Sequence, residues 1–181
     1  LQRIGPARFA ARLQHAGLPL RFAPGAAPNL ALILGGTGAR LEDLVGTYAA
    51  LSRGGIAGKV RYQADSPLLE RRLVSPGAAW IVRRILIEQQ RPGYLADTFD
   101  PAGRLPVAWK TGTSYGFRDA WAIGSTADYT VGVWVGRPDG TPLPGQYGAI
   151  TALPLLLEVV DSLPQGPHAA DSLAMPASVS Q

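Results

Sequence analysis

The chain has 181 residues, 46% hydrophobic and 17% charged, which is enough apolar material for one core and too little charge for a disordered chain. Its net charge of +4 is carried almost wholly by arginines that are scattered, with Arg71-Arg72 and Arg83-Arg84 the only adjacent pairs, so no basic stripe suited to nucleic acid forms. The absence of Cys excludes disulfides and thiolate chemistry, and His15 and His168 are too far apart to suggest a histidine metal centre. No apolar run reaches the roughly 18–20 residues of a membrane span. The chain opens on Leu1-Gln2-Arg3 without Met, as expected of a piece of a longer protein.

Residues 6–16 predict a short helix, with Pro6 in the first turn, Phe9 and Leu13 on one face and Gly17 closing it. Proline and glycine make 18–29 a loop. Leu41, Leu44, Val45, Tyr48 and Leu51 form one apolar stripe of a helix from Leu41 to Ser52, and Gly54-Gly55 ends it. Residues 59–64 alternate and predict a short edge strand. Ser75-Pro76 supplies an N-cap and a first-turn proline for a helix reaching Gln90, with Trp80, Ile81, Ile85 and Leu86 as its bulk. The segment 92–104 reads as loop.

Three strands follow: Leu105–Thr113, Ala120–Thr126 and Tyr129–Gly136. In the last, Val131, Val133 and Val135 share one face and Thr130, Gly132 and Trp134 the other. The short Ala127-Asp128 connection makes the second and third an antiparallel hairpin. A Pro- and Gly-rich loop runs to Gly148, and an apolar helix spans Ala152 to Leu163. The expected class is α+β, an antiparallel sheet flanked by helices in an α/β/α sandwich. Residues 1–163 form the domain, and 164–181 a linker or disordered tail.

The stretch with most chemistry is Trp109-Lys110-Thr111-Gly112-Thr113-Ser114, near the end of a predicted strand. Lys110 and Gly112 point one way, and Thr111 and Thr113 the other. A cationic amine, hydroxyls and free backbone N–H groups together make a receptor for a carboxylate and for a developing oxyanion. The same residues also suit a solvent-facing strand end with a glycine bulge. Gly35-Gly36-Thr37-Gly38 lacks the residues that complete a phosphate loop and reads as a turn leading into the helix at Leu41. Asp119 beside Arg118 suggests an ion pair at the turn. Trp109, Trp121 and Trp134 fall on adjacent strands and read as sheet-to-helix packing, one ring lining a groove being the alternative.

Lys110-Thr111-Gly112-Thr113 resembles the Lys-Thr-Gly motif of penicillin-recognising serine enzymes. The resemblance extends through Ser114, Arg118–Gly124, Val131–Gly136, Leu34–Leu44, Tyr48–Leu51 and Ser75–Trp80 to the class A penicillin-binding proteins, in wording the 1C type, across residues 1–163. It implies a transpeptidase-like fold, here incomplete at its N-terminal side. It also implies a periplasmic parent anchored in the bacterial inner membrane that cross-links peptidoglycan by serine acyl transfer, with no cofactor and no metal.

The partners so implied are a stem peptide ending in D-Ala-D-Ala and β-lactams, with no nucleic acid. Lys110 then sets the electrostatics of the site and favours proton transfer around the nucleophile. The hydroxyls of Thr111 and Thr113 bind the terminal carboxylate, Gly112 leaves room for the peptide to add as a strand, and Ser114 extends the substrate wall. The backbone N–H of Thr113 is one of two oxyanion donors.

The chain departs from the family pattern. Ile56 and Val107 stand three before the two lysines, so there is no Ser-x-x-Lys, and Ala27 stands two before the only Asn, Asn29, so there is no Ser-x-Asn. In family order both motifs precede Leu1, together with the first strands and the glycosyltransferase domain. The expectation is therefore the C-terminal part of a transpeptidase domain, inactive alone, poorly soluble and partnered by the missing N-terminal part of its own domain. Rival readings are a non-catalytic cell-wall binding module, or a complementing fragment, and a hydrolase of the same superfamily cut in the same way.

Overall fold

In the computed structural model, the described residues are 1–89, 106–164, 166, 175–177 and 179. The predicted loop 92–104, Leu105, Gln90, His168 and most of the expected tail lie outside them. Four α-helices and five strands are formed among the described residues: α1 (Pro6–His15), α2 (Leu41–Tyr48), β1 (Ile56–Gly58), β2 (Glu70–Arg72), α3 (Pro76–Ile87), β3 (Ala108–Thr113), β4 (Asp119–Ser125), β5 (Thr130–Gly136) and α4 (Leu153–Ser162).

β3, β4 and β5 form an antiparallel sheet in that order. The β4–β5 hairpin turns at Ala127-Asp128. There Thr126 N donates to Tyr129 O at 2.8 Å, and Thr126 Oγ1 accepts from Tyr129 N at 2.9 Å. Val131, Val133 and Val135 lie opposite Gly124, Ala122 and Ala120, so these residues share one face of the sheet. Against this face α4 packs Leu153, Leu156 and Val160, all fully buried. Burying such a side chain contributes about 1.5–3 kcal/mol.

Glycines set how closely the layers approach. A Cβ on Gly124 would lie 2.8 Å from Leu156 Cδ2, and one on Gly132 would lie 2.6 Å from Val45 Cγ2 on the opposite face. The sheet is thus held between α4 and α2, the expected α/β/α arrangement.

The predicted strand at 59–64 does not form. Instead Ile56–Gly58 pairs antiparallel with Glu70–Arg72. Alternation alone had nothing to bury there, since Tyr62 is exposed and Val60 at the edge of exposure. After a single backbone bond from Lys59 N to Leu69 O, the chain leaves the ladder and Arg61 Nη1 donates to the carbonyls of Ala64 and Ser66.

The helix at 76 starts as expected, with Ser75 Oγ accepting from Ala78 N at 3.2 Å. Its bulkiest apolar residues do not set its inward side. Gly77, Ala79 and Arg83 are buried, while Ile81 and Ile85 are exposed. The small residues let α3 lie close to β3, and burial lowers the pKa of the Arg83 guanidinium. Helix α2 stops at Tyr48 and continues as a 3₁₀ turn, Ala49–Leu51, close to the expected end at Ser52.

Candidate active-site edge

Strand β3 is buried at its start, at Ala108 and Trp109, and emerges into solvent along Lys110–Thr113. It has β4 on one side and no strand on the other among the described residues. Ser114 N donates to Asp119 O at 3.0 Å, which makes this a hydrogen-bonded pair. Such pairs alternate along an antiparallel ladder, so Gly112 with Trp121 and Lys110 with Ile123 are the next two. The N–H and C=O groups of Trp109, Thr111 and Thr113 consequently point to the open edge.

The neighbouring side chains bear this out. Lys110 Nζ donates to Thr111 O at 2.7 Å, and Gln89 Nε2 donates to Trp109 O at 2.8 Å. Nothing in the local pattern around Gln89 marked it in the sequence; only the approach of the α3 end to β3 brings it here.

Thr113 has its hydroxyl on the α4 side, where Oγ1 accepts from the buried Gly148 N at 3.1 Å. Its backbone N–H faces the open edge. Gly112 has ordinary space beside it, a Cβ there falling 3.7 Å from Trp121 Cβ. The glycine with no room is Gly148, whose Cβ would meet Gly112 O at 2.4 Å and Trp121 O at 2.6 Å. Absence of a side chain at 148 lets the π-helical turn Gly148–Ala152 lie directly on the β3–β4 pair. Sequence reasoning placed only a loop end there.

The turn after β3 is braced on both sides. Ser114 Oγ accepts from Asp119 N at 2.9 Å. Phe117 adopts φ +58, a left-handed conformation uncommon for an aromatic residue. It is held by Leu143 N donating to its carbonyl at 2.8 Å and by an edge-to-face contact with Tyr147, ring centroids 5.2 Å apart.

Asp119 makes no ion pair with Arg118 among the described residues; its Oδ1 accepts from Trp134 Nε1 at 2.8 Å instead. The cross-strand register brings Trp134 opposite Trp121, close enough to Asp119 to supply a directed donor. Trp109 lies in the core beneath α4. The Gly35–Gly38 stretch is the expected turn, closed by Thr37 Oγ1 donating to Arg21 O at 2.8 Å. No metal-holding cluster of His, Cys, Asp and Glu occurs among the described residues.

No family model matches the chain. Penicillin-binding protein 1C of Escherichia coli is 58% identical over 159 residues, covering 88% of this chain and 20% of the relative. The chain belongs to the class A penicillin-binding proteins. It spans about a fifth of the length of this 1C relative. Among solved structures, the penicillin-binding protein PonA1 from Mycobacterium tuberculosis shares the fold with a TM-score of 0.64 and 23% identity, over 96% of this chain and 51% of the other. Penicillin-binding protein A from M. tuberculosis, solved as an imipenem acyl-enzyme complex, does so with a TM-score of 0.55 and 19% identity, over 88% of this chain and 43% of the other. In this penicillin-binding protein chain, the residues that carry the resemblance at 110–114 occupy the open edge of β3.

Proposed function

We propose that this chain is the C-terminal part of a D,D-transpeptidase domain that cross-links peptidoglycan stem peptides by serine acyl transfer, the serine residing upstream of Leu1. The observation that carries the reading is the open edge of β3, which presents an outward Thr113 N–H two residues beyond an outward Thr111 N–H, beside an exposed lysine.

A peptide adding to this edge in the antiparallel sense accepts a hydrogen bond from Thr113 N–H at its penultimate D-Ala carbonyl and lays its terminal carboxylate beside Lys110 and Thr111. The serine oxygen then attacks that carbonyl carbon, its proton passing to the departing amine, and terminal D-Ala leaves as the ester forms. An acceptor amine attacks the ester, and the serine regains its proton as the cross-link is made. Lys110 lowers the energy of the substrate carboxylate and of the negative charge that develops. The Thr113 hydroxyl accepts from Gly148 N while its own proton is available to the carboxylate. Ser114 serves the substrate wall by shaping the turn through Asp119 N. The parent is then a periplasmic, membrane-anchored protein that binds β-lactams at the same edge, and the missing N-terminal part of the domain packs beside β3.

The test is labelled-penicillin acylation of this chain beside a protein extended upstream through the serine motif. Labelling of the extended protein alone supports the proposal. Covalent labelling of the short chain would assign the nucleophile to one of its own serines, Ser114 first. Labelling of neither, with no acylation by a D-Ala-D-Ala peptide, favours a non-catalytic module.

A further inference from the structure

The open edge of β3 has a closed end. Outward carbonyls on this edge belong to Trp109, Thr111 and Thr113, and an incoming strand would use each in turn. The first is already occupied: the Gln89 amide donates to Trp109 O at 2.8 Å and to Leu86 O at 3.1 Å, bridging the end of α3 to the strand. The second accepts from Lys110 Nζ at 2.7 Å. Between them these side chains leave Thr111 N–H, Thr113 N–H and Thr113 O for a ligand, a span of about 7 Å at roughly 3.4 Å per residue.

We propose that Gln89 is an end stop on this edge, a specificity-determining residue that restricts it to peptides whose chain terminates at Thr111. The inference rests on the transpeptidase reading. With the penultimate D-Ala carbonyl at Thr113 N–H, the terminal D-Ala carboxylate arrives beside Thr111. A chain that continued for three more residues would bring the third opposite Trp109, where the Gln89 side chain lies. Lys110 rewards a carboxylate at the terminus, and Gln89 excludes what would follow it. The two act on different substrates, so they separate experimentally.

The experiment uses the protein carrying this chain together with its upstream serine. Acylation kcat/KM is measured for diacetyl-Lys-D-Ala-D-Ala and for the same peptide lengthened by Gly-Gly-Gly. Wild type is expected to favour the first strongly. Gln89→Ala should narrow that preference by about fivefold or more, chiefly by gain on the long peptide, since one ladder hydrogen bond and its space become available. Gln89→Asn, one methylene too short to reach Trp109 O while keeping an amide for the helix end, should narrow it likewise if the Ala variant folds poorly. An unchanged ratio in both variants, or an equal loss on both peptides, overturns the end stop. If wild type reacts with neither peptide nor labelled penicillin, the transpeptidase reading falls and the end stop falls with it.

Discussion

Thr113 and Gly148 are joined by a hydrogen bond of 3.1 Å from the buried glycine N–H to the threonine hydroxyl, so one side chain ties the candidate oxyanion strand to the turn that leads into α4. Removing the acceptor orphans a buried donor. Thr113→Val is therefore expected to cost about 1–3 kcal/mol in chemical denaturation, whereas Thr113→Ser, which keeps the oxygen, should stay close to wild type. If Val matches Ser, the bond contributes nothing.

The two glycines on either side of this contact should behave differently. Gly148→Ala forces a methyl into two backbone carbonyls and is expected to be among the most damaging substitutions in the chain, at about 3 kcal/mol or more. Gly112→Ala meets only ordinary contact and should shift stability by about 0.5 kcal/mol or less. Thermal melts of the two variants side by side decide the point.

Asp119 and Trp134 link the first residue of β4 to β5 through the indole N–H. A double-mutant cycle with Asp119→Ala and Trp134→Phe should return a coupling of about 1 kcal/mol. Zero coupling would mean that the strand pairing alone holds Trp134 in place.

Glu42 accepts a hydrogen bond from the Tyr62 hydroxyl, which joins the first turn of α2 to the 59–69 loop. That bond, ahead of Arg40, holds the Glu42 carboxyl below its ordinary value, and the same bond raises the Tyr62 phenol above its own. The Glu42 contribution to stability is present above the ordinary carboxylate value and is lost as pH falls through the lowered one. The Tyr62 contribution is present below the ordinary phenol value and is lost as pH rises through the raised one. In Tyr62→Phe, carboxyl-carbon NMR titration should show the Glu42 midpoint moving up; no movement would remove Tyr62 as the cause.

Leu156 is fully buried under β4, and Ile85 stands exposed on α3. Leu156→Ala should cost about 2–5 kcal/mol. Ile85→Ala should cost about 0.5 kcal/mol or less. Comparable losses at the two positions would mean that the outer face of α3 is covered in solution.

Much of the architecture was legible in the chain by itself. The hairpin of β4 and β5, the capped start of α3 and the helix at 153 each announce themselves within a few residues, because alternation, a Ser-Pro cap and helical spacing are local properties. The Lys110–Thr113 stretch was legible for the same reason, as chemistry concentrated in a short run. What only tertiary structure decided depends on contacts between distant segments. The apparent strand at 59–64 gave way to the pairing of 56–58 with 70–72, because a strand needs a partner as well as a period. The burial of Arg83 rather than Ile85, the crowding of Gly148 onto Gly112, and the capture of Asp119 by Trp134 follow from how layers meet. Gln89 is the clearest case: a polar residue past the end of a helix becomes part of the β3 edge only because α3 ends beside Trp109. Periodicity along a chain says which way a residue points. Packing decides what it meets there.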